Sequence, residues 1–566
     1  MQADNSNGFE PEHLRKWWQA TRDALFADLK SLSEPAAQAS GERGPLGKNV
    51  GWKSHPSVLW IGLALAGCAS GPNFKPPAAP DAAGYTAAAL PAQTVAAPTT
   101  LGGTQRFVAG ASVSAEWWRQ FGSAKLDALV EAALRASPTL EAAQATLRQA
   151  RQNYEAKAGT TQYPQANANL GAQRQGVNNA AAGLPGGERT YNLFNTGVAV
   201  SYDLDLAGGN RRALEALAAQ TEYQRYQLEA ARLSLIGNLA TTAVIQAQLA
   251  GQIEASAAIL AAQEEQLGLT RKRLALGAAS ERDVLALQTQ VEQTRAGLPP
   301  LRLRLEQNQH LLATLAGQPP GSAALPEFNL ADFSLPGELP VSLPSELTRQ
   351  RPDIQAAEAL LAAASAQRGV AVSRLYPRIA LNANLGAQAL TAASLFDGGS
   401  LVWGLAGQLA QPLFNRGSRA EVGAAEAGFD AAAAHYRQTV LQALREVADV
   451  LRALDHDAQA LASHAVADSA ARESLRLTQQ HYDLGAASYL ELLIAQQQAQ
   501  QTRISLVAAQ ASRLADTAAL YQAMGGGWSR GVAADEQAPH SRNGSHQKFD
   551  AMSVSNRPNQ MAFAAE

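Results

Sequence analysis

The chain has 566 residues, a net charge of −3 and a single cysteine, so an internal disulfide is excluded. Charged residues make up 17% of the sequence, and Lys and Arg form no cluster of the kind that a nucleic-acid partner requires. The composition, rich in Ala, Gln and Leu, favours long helices over a compact enzyme. A P-loop, a GxSxG motif, an HExxH motif and paired Cys ligands are all missing from the sequence, so we expect no catalytic residues, no bound metal and no cofactor.

The cysteine, Cys68, lies at the end of a predicted export signal. A basic segment leads into a short apolar run that ends in "LAGC", the pattern of a secretory signal. That run is too short to span a bilayer as a helix. We therefore predict a signal peptide over residues 48–67, and we interpret residues 1–47 as the result of a mis-assigned start or as a fused extension, with translation beginning near Val50. "LAGC" resembles the bacterial lipobox, in which the cysteine becomes acylated; an ordinary signal peptide with an incidental cysteine is the alternative.

The chain then passes through the same series of predicted elements twice. Residues 69–113, rich in Pro, Ala, Gly and Thr, predict an extended tether. In the first repeat, residues 69–320, strands are predicted at roughly 163–173 and 192–205 and a helical hairpin at roughly 210–317. In the second repeat, residues 321–528, strands are predicted at roughly 377–390 and 400–413 and a helical hairpin at roughly 417–524. Residues 529–566 are polar and predict a disordered tail.

Two short motifs support a tandem duplication. "LGAAS" occurs at residues 276–280 and again at 484–488, while "NANLGAQ" occurs at 167–173 and 382–388. The motifs recur in the same order relative to the predicted strands and helices. A period near 200 residues is far too long for a solenoid, so two related halves are expected.

The predicted strands alternate in a way that suits a membrane wall. In residues 194–204, Phe194, Val198 and Tyr202 share one face, while Asn195 and Ser201 share the other. About ten residues suffice for a tilted strand to cross a bilayer. Four such strands cannot close a barrel alone, because single-chain barrels begin at about eight, so several chains would have to pool their strands. A soluble sheet packed on one face is the alternative.

Each LGAAS motif is predicted to be the tip of a long helical hairpin. Apolar residues before each motif recur at steps of three, four and seven, the spacing of a coiled-coil seam. Some sixty helical residues would reach on the order of 90 Å. Gly277 and Gly485 allow the backbone to reverse at the tip.

Taken together, these features resemble the bacterial outer membrane factors, the TolC-like channels, and in particular the OprM- and NodT-type efflux lipoproteins. The stretches "YPRIAL", "PLFNRG" and "YDLGAASYLELLIAQ" carry the resemblance, which covers residues 69–528. It implies a mainly α fold with transmembrane β: a homotrimeric channel whose protomers each give four strands to a 12-stranded outer-membrane barrel. A long α-helical coiled-coil barrel would continue that barrel into the periplasm.

The resemblance also implies a function and partners. The protein would be the passive exit duct of a tripartite efflux system in the outer membrane, anchored by diacylglycerol and palmitoyl chains on Cys68. A periplasmic adaptor protein and a proton-driven inner-membrane pump would complete the system, and the pump would select the drugs or other small molecules. Two alternatives stay open: a type I protein-secretion channel, and a lipid-tethered periplasmic coiled-coil scaffold. The scaffold would account for the helices but not for the alternating strands.

Residue roles follow from the family motif. The resemblance implies adaptor contact at the hairpin tips, through Gly277, Ala278, Ser280, Gly485, Ala486 and Ser488. It implies a periplasmic gate that includes Asp283, Tyr482 and Glu491. The chain departs from the family at Ala487, where the family has a gate arginine, and at Ile494, where it has a second carboxylate. Arg273 and Arg282 are the candidates to replace the arginine, and a gate with fewer links should open more readily. The alternative is structural: Gly and Ser are needed to reverse the helix, and the charges are solvated helix ends.

Overall fold

The computed structural model describes residues 71–78, 84–178, 185, 187–321 and 325–528. The predicted extension, the signal peptide, Cys68 and the C-terminal tail therefore lie outside the described residues. Every described residue belongs to the second of the chain's two units, Leu65–Glu566.

The second unit contains two series of elements in the same order. The first consists of β1 (Arg106–Ala109), α1 (Ala124–Ala136), α2 (Pro138–Thr161), β2 (Gln165–Asn178), β3 (Glu188–Leu204), α3 (Gly209–Ala275) and α4 (Glu281–Leu315). The second consists of β4 (Glu338–Val341), α5 (Pro344–Gln350), α6 (Pro352–Ser373), β5 (Arg378–Ala389), β6 (Leu401–Ala410), α7 (Arg416–Asp483) and α8 (Tyr489–Ala523). Short 3-10 segments lie at Trp117–Phe121, Leu330–Asp332 and Ala393–Phe396.

Four strands form one antiparallel sheet in the order β2-β3-β5-β6, so the strand pairs of the two repeats lie side by side. Among the described residues, β2 and β6 each have one edge without a partner strand. The first two strands extend further into their connecting loop than the sequence pattern predicts, because β2 and β3 pair as far as Asn178 and Glu188.

The register sorts the side chains of this sheet onto two different faces. Ala168 lies opposite Val198, Val198 opposite Leu385, and Leu385 opposite Trp403, so one apolar row crosses all four strands. One residue along, the row consists of Asn167, Ala199, Asn384 and Gly404. Large side chains on the apolar face are exposed, among them Leu170, Leu385, Trp403, Leu405 and Leu409. The sheet therefore has one exposed apolar face and one polar face with small residues.

Two long helices run the length of the helical part. With 67 and 68 residues, α3 and α7 are each about 100 Å long. Beside them, α2 and α6 cover the end near the sheet, while α4 and α8 cover the end near the tips. The neighbour contacts give the order α2-α3-α6-α7 near the sheet and α4-α3-α8-α7 near the tips. Of the described helices, α3 alone is apolar and long enough to cross a membrane, but most of that apolar stretch is buried in the protein, as expected of a core helix.

A small layer packs against the middle of the helices. It contains β1, β4, the 3-10 segments Trp117–Phe121 and Leu330–Asp332, and the residues that flank them. Its core contains Trp117, which stacks on Tyr521 of α8 with 5.4 Å between ring centroids, and Phe121. Strands β1 and β4 join the two repeats as a parallel pair. The prediction of a tether over residues 69–113 is wrong for much of its length, because Thr94 and Gln105 are buried. Gln105 donates from Nε2 to Thr517 Oγ1 of α8 at 3.0 Å. Val113 belongs to the same core as Trp117, and Phe107 packs against it, so hydrogen bonds and apolar contacts together hold this segment against the helices.

Candidate functional site at the hairpin tips

Both hairpin tips are built by the same backbone device. Gly277 has φ of +73° and Gly485 has φ of +75°, a conformation that glycine adopts without steric cost. In the first tip, the Ala278 amide donates to the Arg273 carbonyl at 2.8 Å. The Ala486 amide makes the equivalent bond to the His481 carbonyl, also at 2.8 Å. Each long helix thus ends in a Schellman turn that satisfies its last carbonyls.

A capping box starts each return helix. Ser280 accepts from the Asp283 amide at 3.2 Å, and its own amide donates to Asp283 Oδ2 at 3.0 Å. In the second tip, the Ser488 amide donates to Glu491 Oε2 at 2.6 Å, and Ser488 Oγ accepts from the Glu491 amide at 3.3 Å. Asp283 and Glu491 are therefore equivalent residues of the two repeats, both at the third position of a helix.

These hydrogen bonds favour the ionised form of both carboxylates. The side-chain bond from Ser280 is the largest cause that lowers the pKa of Asp283, and the backbone bond from Ser488 is the largest cause that lowers the pKa of Glu491. Among the described residues, Tyr482 makes no hydrogen bond to either carboxylate. Asp283 and Glu491 have a capping role in each protomer, whatever else they do.

The residues expected to contact an adaptor are accessible. Gly277, Ala278, Ser280, Gly485, Ala486 and Ser488 are all exposed. The sequence interpretation missed their apolar neighbours: Leu276 and Leu484 are 83% and 82% exposed. A large aliphatic side chain held in solvent at the same place in both repeats suits a contact with another protein. The sequence does contain this information, since both LGAAS motifs begin with leucine.

Contacts between the two hairpins lie just behind the tips. The guanidinium of Arg273, from α3, lies 5.3 Å from the centroid of the Tyr482 ring of α7, a cation–π contact. Tyr482 meets Tyr489 of α8 edge to face at 6.2 Å. Tyr489 in turn packs against an apolar cluster of the first hairpin that includes Leu267 and Val284. We call Arg273, Tyr482 and Tyr489 the tip latch, because together they join the first hairpin to the second.

The tip latch bears on the departures from the family pattern. Of the two arginines considered as replacements for the one missing at Ala487, Arg273 contacts Tyr482. No contact with Tyr482 is recorded for Arg282 in the described part of the chain. Ile494 is exposed and leaves its position without charge. Burial is the largest cause that raises the pKa of Tyr489, and the charges of Tyr482 and Asp283 add to it. Sequence reasoning missed Tyr489 because its role depends on packing between hairpins. The described residues contain no group of His, Cys, Asp and Glu that could hold a metal ion.

Known proteins share this architecture. The model of the family described as outer membrane efflux protein matches residues 129–318 and 343–526. The chain is similar to the pyoverdine export outer membrane protein OpmQ of Pseudomonas putida, with 33% identity over 420 residues, 73% of this chain and 88% of OpmQ. It is 30% identical to the outer membrane protein OprJ of Pseudomonas aeruginosa over 483 residues, 84% of this chain and 96% of OprJ.

A solved structure has the same fold. The outer-membrane channel OprN superposes with a TM-score of 0.73 and 28% identity, over 81% of this chain and all of that one. The resemblance drawn from the sequence and the TolC-like fold that it implies are confirmed, and the relatives are channel proteins and not enzymes. The chain belongs to the outer membrane efflux protein family, as an outer-membrane channel component of an efflux system that extends into the periplasm.

Proposed function

We propose that three copies of the chain pool their sheets into one 12-stranded barrel and their helices into a passive duct through which small molecules leave the cell. The observation that carries the proposal is the four-stranded sheet, whose apolar face is exposed and whose two outer edges lack partners in the described residues. Open edges are not tolerated in lipid, so each edge needs a strand from a neighbouring copy. Trp403 and Leu405 would then face the lipid, while Asn167 and Asn384 would line a wet interior.

The tips would be the entrance of this duct. Their exposed Leu276 and Leu484, with the six tip residues named above, support a contact with a periplasmic adaptor protein. The tip latch supports a gate in which Tyr482 is held by Arg273 instead of by an arginine at position 487. Asp283 and Glu491, three copies of each in the trimer, would favour cations at the narrow entrance.

A proton-driven inner-membrane pump would supply both the energy and the choice of substrate. OpmQ is named for the export of pyoverdine, which supports a small-molecule cargo for this chain and disfavours the protein-secretion alternative. Acyl chains on Cys68 would add a second attachment to the membrane, because a single lipid group gives only a modest anchor.

Cross-linking across the free edges tests the assembly. In cells that express the full chain, Leu170→Cys on β2 combined with Leu405→Cys on β6 should give dimers and trimers after treatment with a short bismaleimide. The control combines Leu405→Cys with Thr196→Cys on the central strand β3, which has partners on both sides; it should give no such ladder. Monomers alone from the edge pair, with the protein present in the outer membrane, would contradict the shared barrel.

A further inference from the structure

A cavity of about 770 Å³ lies on the helices, between the small layer and the hairpin tips. Helix α8 forms its floor, α3 and α7 form its walls, and Thr100 and Leu330 of the small layer form its roof. This volume lies within the range typical of sites that bind small molecules, roughly 300–1,000 Å³. If the small layer lay inside the proposed duct it would obstruct it, so the cavity would open on the outer wall of the trimer.

One end of the cavity is apolar and the other is polar. Under the roof, Gly251 of α3 lies so close to α8 that a Cβ added to it would be 3.1 Å from Val507. Small and aliphatic residues continue along this end, namely Ala247, Ala255, Ala258 and Ile259, and its polar residues are Glu254 and Gln510. Toward the tips the lining becomes polar, with Gln263, Arg472, Arg476, Gln479, Gln496 and Arg503. The cavity is therefore amphipathic along its length.

Two buried amides at the polar end lack partners. Gln263 is completely buried, and neither its Oε1 nor its Nε2 has a hydrogen-bond partner among the described residues. Gln496 is 8% exposed, and its Oε1 is likewise without a partner in the described part of the chain. An unpaired buried amide costs roughly 1–3 kcal/mol, so a ligand that hydrogen bonds here would recover that free energy.

The charged residues around the cavity leave one arginine, Arg503, for an anion. Three arginines line it against one carboxylate, Glu254. Arg472 is paired with Asp468 at 2.9 Å, and Arg476 is paired with Glu473 at 2.6 Å. For Arg503, no carboxylate of the described residues lies within ion-pairing distance. Its guanidinium, at the junction of the apolar and polar ends, is available for an acidic group.

We propose that this cavity binds an amphipathic anion: a molecule with an apolar body and one acidic group. The apolar body lies under Leu330 against Gly251 and Val507, and the acidic group meets Arg503. The amides of Gln263 and Gln496 complete its hydrogen bonds. The binding does not depend on the export activity, since the cavity belongs to one protomer.

Fluorescence binding to the full-length trimer in nanodiscs tests the site, with 11-(dansylamino)undecanoic acid as the probe. The wild type should give a saturable signal above that of empty nanodiscs. Arg503→Gln should weaken binding by about tenfold or more, as expected when a charge-assisted hydrogen bond is lost. Arg304→Gln, a change at an exposed arginine of α4 that does not line the cavity, is the matched control and should bind as the wild type does.

Two further measurements make the result decisive. Ala258→Phe fills the cavity and should remove the saturable signal without changing trimer migration on a gel. An uncharged probe, the primary amide of the same acid, should bind Arg503→Gln and the wild type equally. A signal no greater than that of empty nanodiscs would overturn the proposal, as would equal affinities for Arg503→Gln and Arg304→Gln. Neither result would contradict the proposed channel function, because that function is tested separately by measuring conductance.

Discussion

The tip latch predicts how much the closed channel depends on Arg273. The contact between Arg273 and the Tyr482 ring spans 5.3 Å, and both residues are half-buried. A cation–π contact contributes about 0.5–1 kcal/mol at an exposed site and about 2 when desolvated, so about 1 kcal/mol per protomer is expected here. If three latches release together, Arg273→Gln lowers the free energy of opening by about 3 kcal/mol, which shifts the equilibrium on the order of a hundredfold toward the open state.

Single-channel recording in planar lipid bilayers measures this shift. Arg273→Gln should raise the resting open probability well above that of the wild type. Lys272→Gln is the matched control, because it removes the same charge from the neighbouring exposed residue. A double-mutant cycle with Tyr482→Leu should show that the two changes are not additive. Equal open probabilities for Arg273→Gln and Lys272→Gln would refute the reasoning.

Three more changes give expected outcomes. Ala487→Arg should restore a gate link and lower the resting conductance of the trimer below that of the wild type; a wild-type conductance already as low as that of this variant would count against the weakened gate. Leu405→Arg, on the apolar face of the sheet, should cost about 2–4 kcal/mol at the membrane midplane and reduce the heat-modifiable form in outer-membrane extracts, whereas Ala406→Arg on the polar face should not. Burial, with the facing carboxyl of Asp457, raises the pKa of Asp516 to about 7. The folded state therefore binds this proton more tightly than the unfolded state does, so the protonated carboxyl stabilises the fold in acid, and that stability is lost as pH rises toward 7. Asp516→Asn should raise the thermal unfolding midpoint at pH 8 and flatten its pH dependence.

Local patterns predicted the elements well where the chain is regular. Alternation over residues 194–204 places Val198 and Tyr202 on the face that the register also assigns them, because side-chain direction in a strand is fixed by parity. Long heptad runs that end at Gly277 and Gly485 identify two hairpins, since only a positive φ reverses the helix there. Composition misled us at residues 84–113. Ala, Pro and Thr suit a flexible tether, but they also suit a segment held against α8 by hydrogen bonds such as that from Gln105 to Thr517.

The sequence of either repeat by itself does not predict the tip latch. Arg273 and Tyr482 are 209 positions apart, and what brings them together is the packing of α8 between α3 and α7. Both tips kept the same turn and the same capping box because each helix must satisfy its own ends. The contacts between hairpins carry no such local constraint, so the pattern of a single repeat does not predict that Arg273 meets Tyr482.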